Sequence, residues 1–390
     1  MRLLTNKNNL SILILTILLL IGYSYYMIMD IVTEGAANTV TKQAICLLVV
    51  ECFAVFMFIQ HQNIKKTKLF RLFSFWIAWI FIDFFVFGLR GNGISNFFLA
   101  IISASTFILF YYLSYEGIDN KWLVVGFIVL YLLTAYFCVQ DVITGRMFMR
   151  GEGAYVTNLV FWPLCVIPFI FLIKNDYIKY VLLFSCLIVV MLSTKRSAAI
   201  CVFLILAFYV FVTIKKNKMS NNLLLILVAL GGAYYLVSHY FLDDLFSVIG
   251  RLEEISEDQG SGRLGFYDII SNRISNFGLI DWLLGRGYHS IWETGHTNAH
   301  NDALQVLYEY GLAGLVVYIL ITIQAIKRIF YLYKNDSQYA YGYVASIIIY
   351  IVLGLVSNLY AYNTYFIFIC AYWGLMEGEI ISKKKNYRYV

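Results

Sequence analysis

His300 is the side chain in this chain best suited to general-base chemistry. It stands in the segment HTNAHND at 296–302, directly before an apolar run. A neutral imidazole takes up a proton near neutral pH. Counted helically from His300, the residues Leu304, Leu307, Gly311 and Gly314 lie within about 40° of one line at 100° per residue. Asp302 is expected to N-cap this helix, and the two glycines to let a neighbouring helix approach closely. An interfacial histidine that only caps a helix fits the same pattern.

The surrounding stretch, Asp243 to Asp302, holds ten acidic residues, four arginines and three of the five histidines of an otherwise apolar chain. Leu242, Leu245, Phe246, Ile249, Leu252 and Ile255 recur at helical spacing. They predict an amphipathic helix on the bilayer surface or over a cavity. GSG at 260–262 breaks it, and a second helix is expected from Arg263 to about Ile274. Glycines at 285, 287 and 295 make the remainder irregular. His296 lies one turn before His300 if the helix starts early.

These groups must be positioned by a membrane-embedded helical body. Of 390 residues, 61% are hydrophobic and 13% charged, where soluble chains carry about 25% charged. Mean hydropathy is +0.75. The long apolar runs lack strand alternation, so the expected fold is an all-α integral membrane protein. About twelve spans are expected, near 10–29, 43–60, 70–89, 94–114, 122–139, 156–173, 177–193, 197–214, 222–241, 303–325, 340–357 and 360–377. The division is 1–242 for spans one to nine, 243–302 for one long external loop with short amphipathic helices, and 303–390 for spans ten to twelve with a C-terminal tail. The first run is expected to be retained rather than cleaved. All seven cysteines fall in apolar runs, which argues against a disulfide framework or a Cys/His metal cluster.

Charge orients this arrangement. With the N-terminus inside, inside segments hold 19 of the 29 basic residues, so both termini are expected in the cytoplasm. The net charge of +6 follows from loop lysines and does not imply nucleic acid. Of the ten basic residues outside, eight are arginine: Arg90, Arg146, Arg150, Arg196, Arg251, Arg263, Arg273 and Arg286. Arginine suits planar, bidentate contact with phosphate or carboxylate. A span-end arginine such as Arg196 also snorkels to headgroups without further function. Arg273 and Arg286 line a cavity or face water. Glu51, Asp83 and Glu309 fall within apolar runs. They are functional hypotheses by default, with hydrogen bonding inside the bundle the favoured reading. Tyr155, Tyr288 and Trp292 are external aromatics able to stack on sugar rings.

The run His300-Asn301, then nine residues, then Gly311-Leu312-Ala313-Gly314 resembles the signature of bacterial O-antigen ligases and the related O-antigen polymerases. In them a His-Asn pair precedes a late transmembrane helix with two glycines. SGR at 261–263 resembles the family's loop arginine. STKRSA at 193–198 resembles its Ser-x-Ser-Arg turn, with Thr194 and Lys195 departing from the commonest form. The sequence likeness covers about residues 190–320. It implies a metal-independent, inverting glycosyltransferase without a cofactor, in the bacterial cytoplasmic membrane with its active site on the periplasmic or external face. The donor would be an undecaprenyl-diphosphate-linked oligosaccharide and the acceptor a sugar hydroxyl. His300 would be the base, and Arg196, Arg263 and Lys195 would hold the diphosphate. Asn301, His296, Arg273 and Arg286 are further substrate-binding candidates, and Gly311 and Gly314 the structural motif. A chain-length regulator and a flippase of the same pathway are implied partners.

Polymerisation of O-antigen or capsule repeat units is the preferred reaction. The alternative is the ligase that moves finished polymer to lipid A–core in lipopolysaccharide. The competing class is a polysaccharide-lipid flippase or other secondary transporter. Against it, paired inverted halves are not visible, and the polar chemistry is concentrated outside.

Overall fold

The computed structural model describes residues 2–33, 39–88, 94–117, 120–148, 155–215, 263–291, 299–360 and 364–386. Thirteen helices and no strand occur among them: α1 Arg2–Val32, α2 Val40–Gln60, α3 Lys68–Phe87, α4 Ile94–Tyr115, α5 Asn120–Phe148, α6 Phe161–Ile170, α7 Asp176–Leu192, α8 Arg196–Lys215, α9 Arg263–Ser275, α10 Leu279–Leu284, α11 Asp302–Lys334, α12 Ala340–Val356 and α13 Phe366–Asn386. The all-helical architecture of a polytopic membrane protein follows from saturating backbone groups within each apolar segment. Seven helices are long and apolar enough to cross a membrane, and α6 and α12 are shorter apolar helices.

A helix covers every expected span that falls on described residues. The span at 222–241 and the amphipathic helix at 242–255 lie outside them. Two spans differ from expectation. The one expected at 156–173 is helical only over Phe161–Ile170, because the chain turns at Thr157, whose hydroxyl accepts from Leu159 N at 3.1 Å. The one expected at 360–377 begins at Phe366 and runs to Asn386.

The core is centred on α4 and α13. From Phe366 to Met376 every side chain of α13 is buried. A Cβ on Gly374 would meet the carbonyl of Phe107, and one on Gly378 that of Tyr111. Two glycines four residues apart therefore allow the α13 and α4 backbones to touch, as small residues do between membrane helices. α13 is tied sideways as well. Trp373 Nε1 donates to Ser346 Oγ of α12 at 2.7 Å, and Arg328 Nη2 of α11 donates to the fully buried Glu377 carboxylate at 2.8 Å.

α11 is not one straight rod. Gly311 takes φ 65° and ψ −166°, so the helix kinks there. Carbonyls just before such a break lose their i+4 donors, and the loop supplies replacements. Arg286 N donates to Tyr308 O at 3.0 Å and Gly287 N to Glu309 O at 2.8 Å. Tyr288 N donates to Asp83 Oδ2 of α3 at 2.9 Å. The segment at 285–288 is thus sewn onto the bundle beside the kink, and Asp83 serves as one of its anchors.

Candidate active site

The joint between α7 and α8 is three residues long. Ser193 Oγ donates to Val190 O at 2.7 Å and accepts from Lys195 N at 3.3 Å. Thr194 is held at φ 49°, an unusual conformation for a β-branched residue. Its hydroxyl donates to Tyr155 O at 2.9 Å, and Thr157 N donates to Ser193 O at 3.4 Å. The neighbouring chain therefore over-determines the turn, which is how strained backbone persists. Lys195 leaves the turn with its ammonium 5.6 Å from the Phe161 ring centroid. Arg196 opens α8 and is half-buried. The hydroxyls of Ser197 and Ser357 lie 3.4 Å apart, joining this turn to the C-terminus of α12.

His300 also sits in a left-handed conformation, φ 51°, outside the helix that follows. Its carbonyl accepts from Tyr267 Oη at 3.3 Å, a hydroxyl shared with Leu355 O at 3.4 Å. The Phe266 ring lies 5.8 Å from the imidazole, centroid to centroid. Both residues belong to the first turn and a half of α9. The helix expected from Arg263 thus lies against His300, with Arg263 itself as its first residue.

The cap of α11 differs from expectation. Asn301, not Asp302, is the N-cap, its Oδ1 accepting from Leu304 N at 3.0 Å. Asp302 is fully buried instead, and its carboxylate accepts from Tyr360 N at 2.8 Å. Two residues differ in role because Asn301 has extended φ/ψ while Asp302 is already helical. Gln305, one turn on, gathers three elements. Its Oε1 accepts from Asn358 Nδ2 at 2.8 Å and Ala299 N at 3.4 Å, and its Nε2 donates to Glu309 Oε1 at 3.3 Å. Glu309 is therefore a buried network member, as the bundle-internal reading expects.

His300 and Lys195 line one cavity of about 810 Å³, with Asp141, Tyr155, Asn158 and Thr364 among the other walls. That size suits a sizeable organic ligand, since binding pockets run to about 300–1,000 Å³. Tyr155 Oη donates to Asp141 at 3.2 Å. Burial, and after it the Asp141 carboxylate, raise the Tyr155 phenol above its usual range. Ile31, Val32 and Tyr136 also line the cavity and are among the exposed apolar side chains of α1 and α5. The cavity therefore opens beside exposed apolar surface. It brings together an imidazole, an ammonium, a carboxylate, hydroxyls and aromatic faces, a set able to move a proton, hold an anion and stack on sugars.

Other expected residues fall elsewhere. Arg286 pairs with Asp281 at 3.3 Å and lies over the Phe277 ring at 5.0 Å, so it organises the loop. Arg273 lies in the last turn of α9, half-buried. His296, Arg150, Arg251, Arg90 and Trp292 lie outside the described residues. At Gly311 the close neighbour is the end of the short helix α10, while Gly314 faces its own helix. A Cβ on Gly311 would come within 2.5 Å of the backbone of Leu283 and Gly285, and one on Gly314 would strike Tyr310 of its own helix. The kink turns Gly311 towards the loop, which supplies the close neighbour.

Sequence reading missed Asp141, Asn158, Tyr267 and Gln305. Asp141 carried a signal, a carboxylate near the expected outer end of a span. Tyr267 and Gln305 carried none, since their roles depend on what folds against them.

No curated relative matches the chain. Residues 181–319 match the family model described as O-antigen ligase, a stretch that includes the Ser193–Arg196 turn, α9, His300 and the kinked start of α11. This match supports the O-antigen ligase and polymerase superfamily that the sequence resembles.

Proposed function

We propose that the chain is a membrane glycosyltransferase of surface-polysaccharide assembly, acting as the repeat-unit polymerase. It would move a glycan from an undecaprenyl-diphosphate donor to a sugar hydroxyl of a second lipid-linked glycan. The observation that carries this reading is the shared cavity of His300 and Lys195, bordered by the exposed apolar side chains of Ile31, Val32 and Tyr136. A polyprenyl chain can stay in the bilayer while its head enters such a cavity. In the proposed step the acceptor oxygen attacks the anomeric carbon as His300 takes its proton. The bond to the diphosphate breaks, and the diphosphate leaves with the electron pair. A single displacement inverts the anomeric centre. Lys195, Arg196 and Arg263 are the cations assigned to the leaving charge, so the step needs no metal. Residues 243–302 are assigned as the external loop of a bacterial cytoplasmic membrane protein, with the cavity on that face. A chain-length regulator and a flippase are its expected partners.

The test is polymer synthesis by purified protein from a short polyprenyl-diphosphate repeat unit as sole substrate, with and without chelator. Ladders from the native chain that survive chelation support the reading, provided His300→Ala abolishes them. Product only after lipid A–core is added makes the chain a ligase. No product, with His300→Ala still functional in cells, removes the enzyme reading and favours transport.

A further inference from the structure

The first half of α11 opens at the His300 cavity, and its second half ends at a different one. From Asp302 to Lys327 the rise at about 1.5 Å per residue is roughly 37 Å, more than the hydrocarbon thickness of about 30 Å. At that far end lies a second cavity of about 410 Å³, lined by Lys65, Lys66, Lys68, Arg71, Lys327 and Arg328. Six cationic side chains from two segments some 260 residues apart face one space.

Positive-inside topology explains lysines near span ends, but not their convergence on one cavity. Among the described residues, carboxylate pairing neutralises Arg328 and none of the other five. Glu377, the one carboxylate in the wall, is fully buried and already engaged by Arg328. Among the described residues no carboxylate pairs with Lys65, Lys66, Lys68, Arg71 or Lys327. The Lys66 ammonium is held 4.5 Å from the Phe58 ring centroid and 5.7 Å from that of Phe70. The cavity wall also includes Thr67 and Lys68, the N-cap and first residue of α3, so the positive end of that helix adds to the field. Apolar surface adjoins the charge. Ile323, Ile326 and Phe330 are exposed on α11, interleaved with Gln324, Lys327 and Arg328. Leu69 and Ile381 complete the wall.

We infer that this cavity binds the phosphate headgroup of an anionic membrane lipid between α3 and α11, its acyl chains lying along the exposed face of α11. Basic pockets between membrane helices recognise such headgroups by charge-assisted contacts to phosphate. The site stands apart from the His300 cavity and does not depend on the reaction assigned there.

The test is native mass spectrometry of the full chain released from nanodiscs of phosphatidylglycerol, of phosphatidylcholine, or of phosphatidylcholine with millimolar inorganic phosphate. The native chain is expected to retain phosphatidylglycerol and not phosphatidylcholine. Lys68→Ala/Arg71→Ala/Lys327→Ala should lower that retention about tenfold or more. Lys174→Ala/Lys179→Ala/Lys334→Ala, which removes as many charges elsewhere, should leave it unchanged. Lys68→Arg/Lys327→Arg should keep binding and so separates charge loss from misfolding. Equal loss in both alanine triples would reduce the effect to surface charge and overturn the site. Equal retention of phosphatidylcholine, or capture of inorganic phosphate without lipid, would overturn the lipid assignment.

Discussion

Gly285 and Gly311 pack backbone against backbone, Gly285 at φ 76° and Gly311 at φ 65°. A Cβ on Gly311 would come within 2.5 Å of Gly285 N, and one on Gly285 within 2.5 Å of Tyr310 N. The contact fastens the segment before His300 to the kink in α11, about three turns from His300, and both residues take backbone angles that are costly for any side chain. Gly311→Ala and Gly285→Ala should each destabilise the fold by at least about 1–3 kcal/mol. The double variant should lose less than the sum, because one contact is removed twice. Thermal unfolding in detergent measures the stability, and proteolysis between 276 and 291 reports detachment of the loop. Unchanged unfolding in both single variants would remove this contact from the account.

His300→Asn separates chemistry from backbone. Asparagine tolerates the left-handed conformation that His300 adopts, so the unfolding temperature should stay near that of the native chain. Turnover should fall about 10²–10⁴-fold, the usual worth of a general base. The loss should appear in kcat with little change in KM. A variant that unfolds early, or one that turns over normally, would contradict the assigned role.

Asn301 is expected to act on α11 rather than on substrate. Asn301→Ala should cost about 1 kcal/mol, and Asn301→Ser should recover most of it, since both serine and asparagine accept from the first turn. Gln305→Leu should cost more, about 1–3 kcal/mol, because it strips partners from Asn358, Ala299 N and Glu309 at once. Hydrogen exchange at Ala299 and Asn358 would show whether the network opens. If Asn301→Ser keeps stability but loses turnover, Asn301 touches substrate after all.

The Arg328–Glu377 pair joins α11 to α13 beside the basic cavity. Arg328→Met leaves a fully buried carboxylate without its cation and should cost about 3–5 kcal/mol. Changing both residues, as Arg328→Met/Glu377→Leu, should restore most of that loss. Unfolding of the two variants in detergent gives the comparison. Equal losses would mean that the guanidinium contributes packing, not charge compensation.

Composition and order of residues by themselves determined the membrane class, the helical architecture, nearly every helix on the described residues and the second loop helix from Arg263. Such properties are local, because hydropathy over twenty residues and the 3.6-residue period do not depend on distant partners. The Ser193–Arg196 turn and His300 also stood out in the sequence, as polar groups at the ends of apolar runs. Folding alone decided what they face. Lys195 and His300 line one cavity, and Ser197 meets Ser357 across the bundle, contacts that no periodicity encodes. The cap fell to Asn301 rather than Asp302 because Tyr360 N claims the aspartate. The backbone contact between two long helices fell to Gly374 and Gly378, while the kink at Gly311 turns that glycine towards Leu283 and Gly285 at the end of α10. Likewise, lysines at 65–68 and basic residues at 327–328 read as topology until α3 and α11 pack side by side. Which residue types face lipid is a property of the chain, but which of them face each other is set by the packing of helices far apart in sequence.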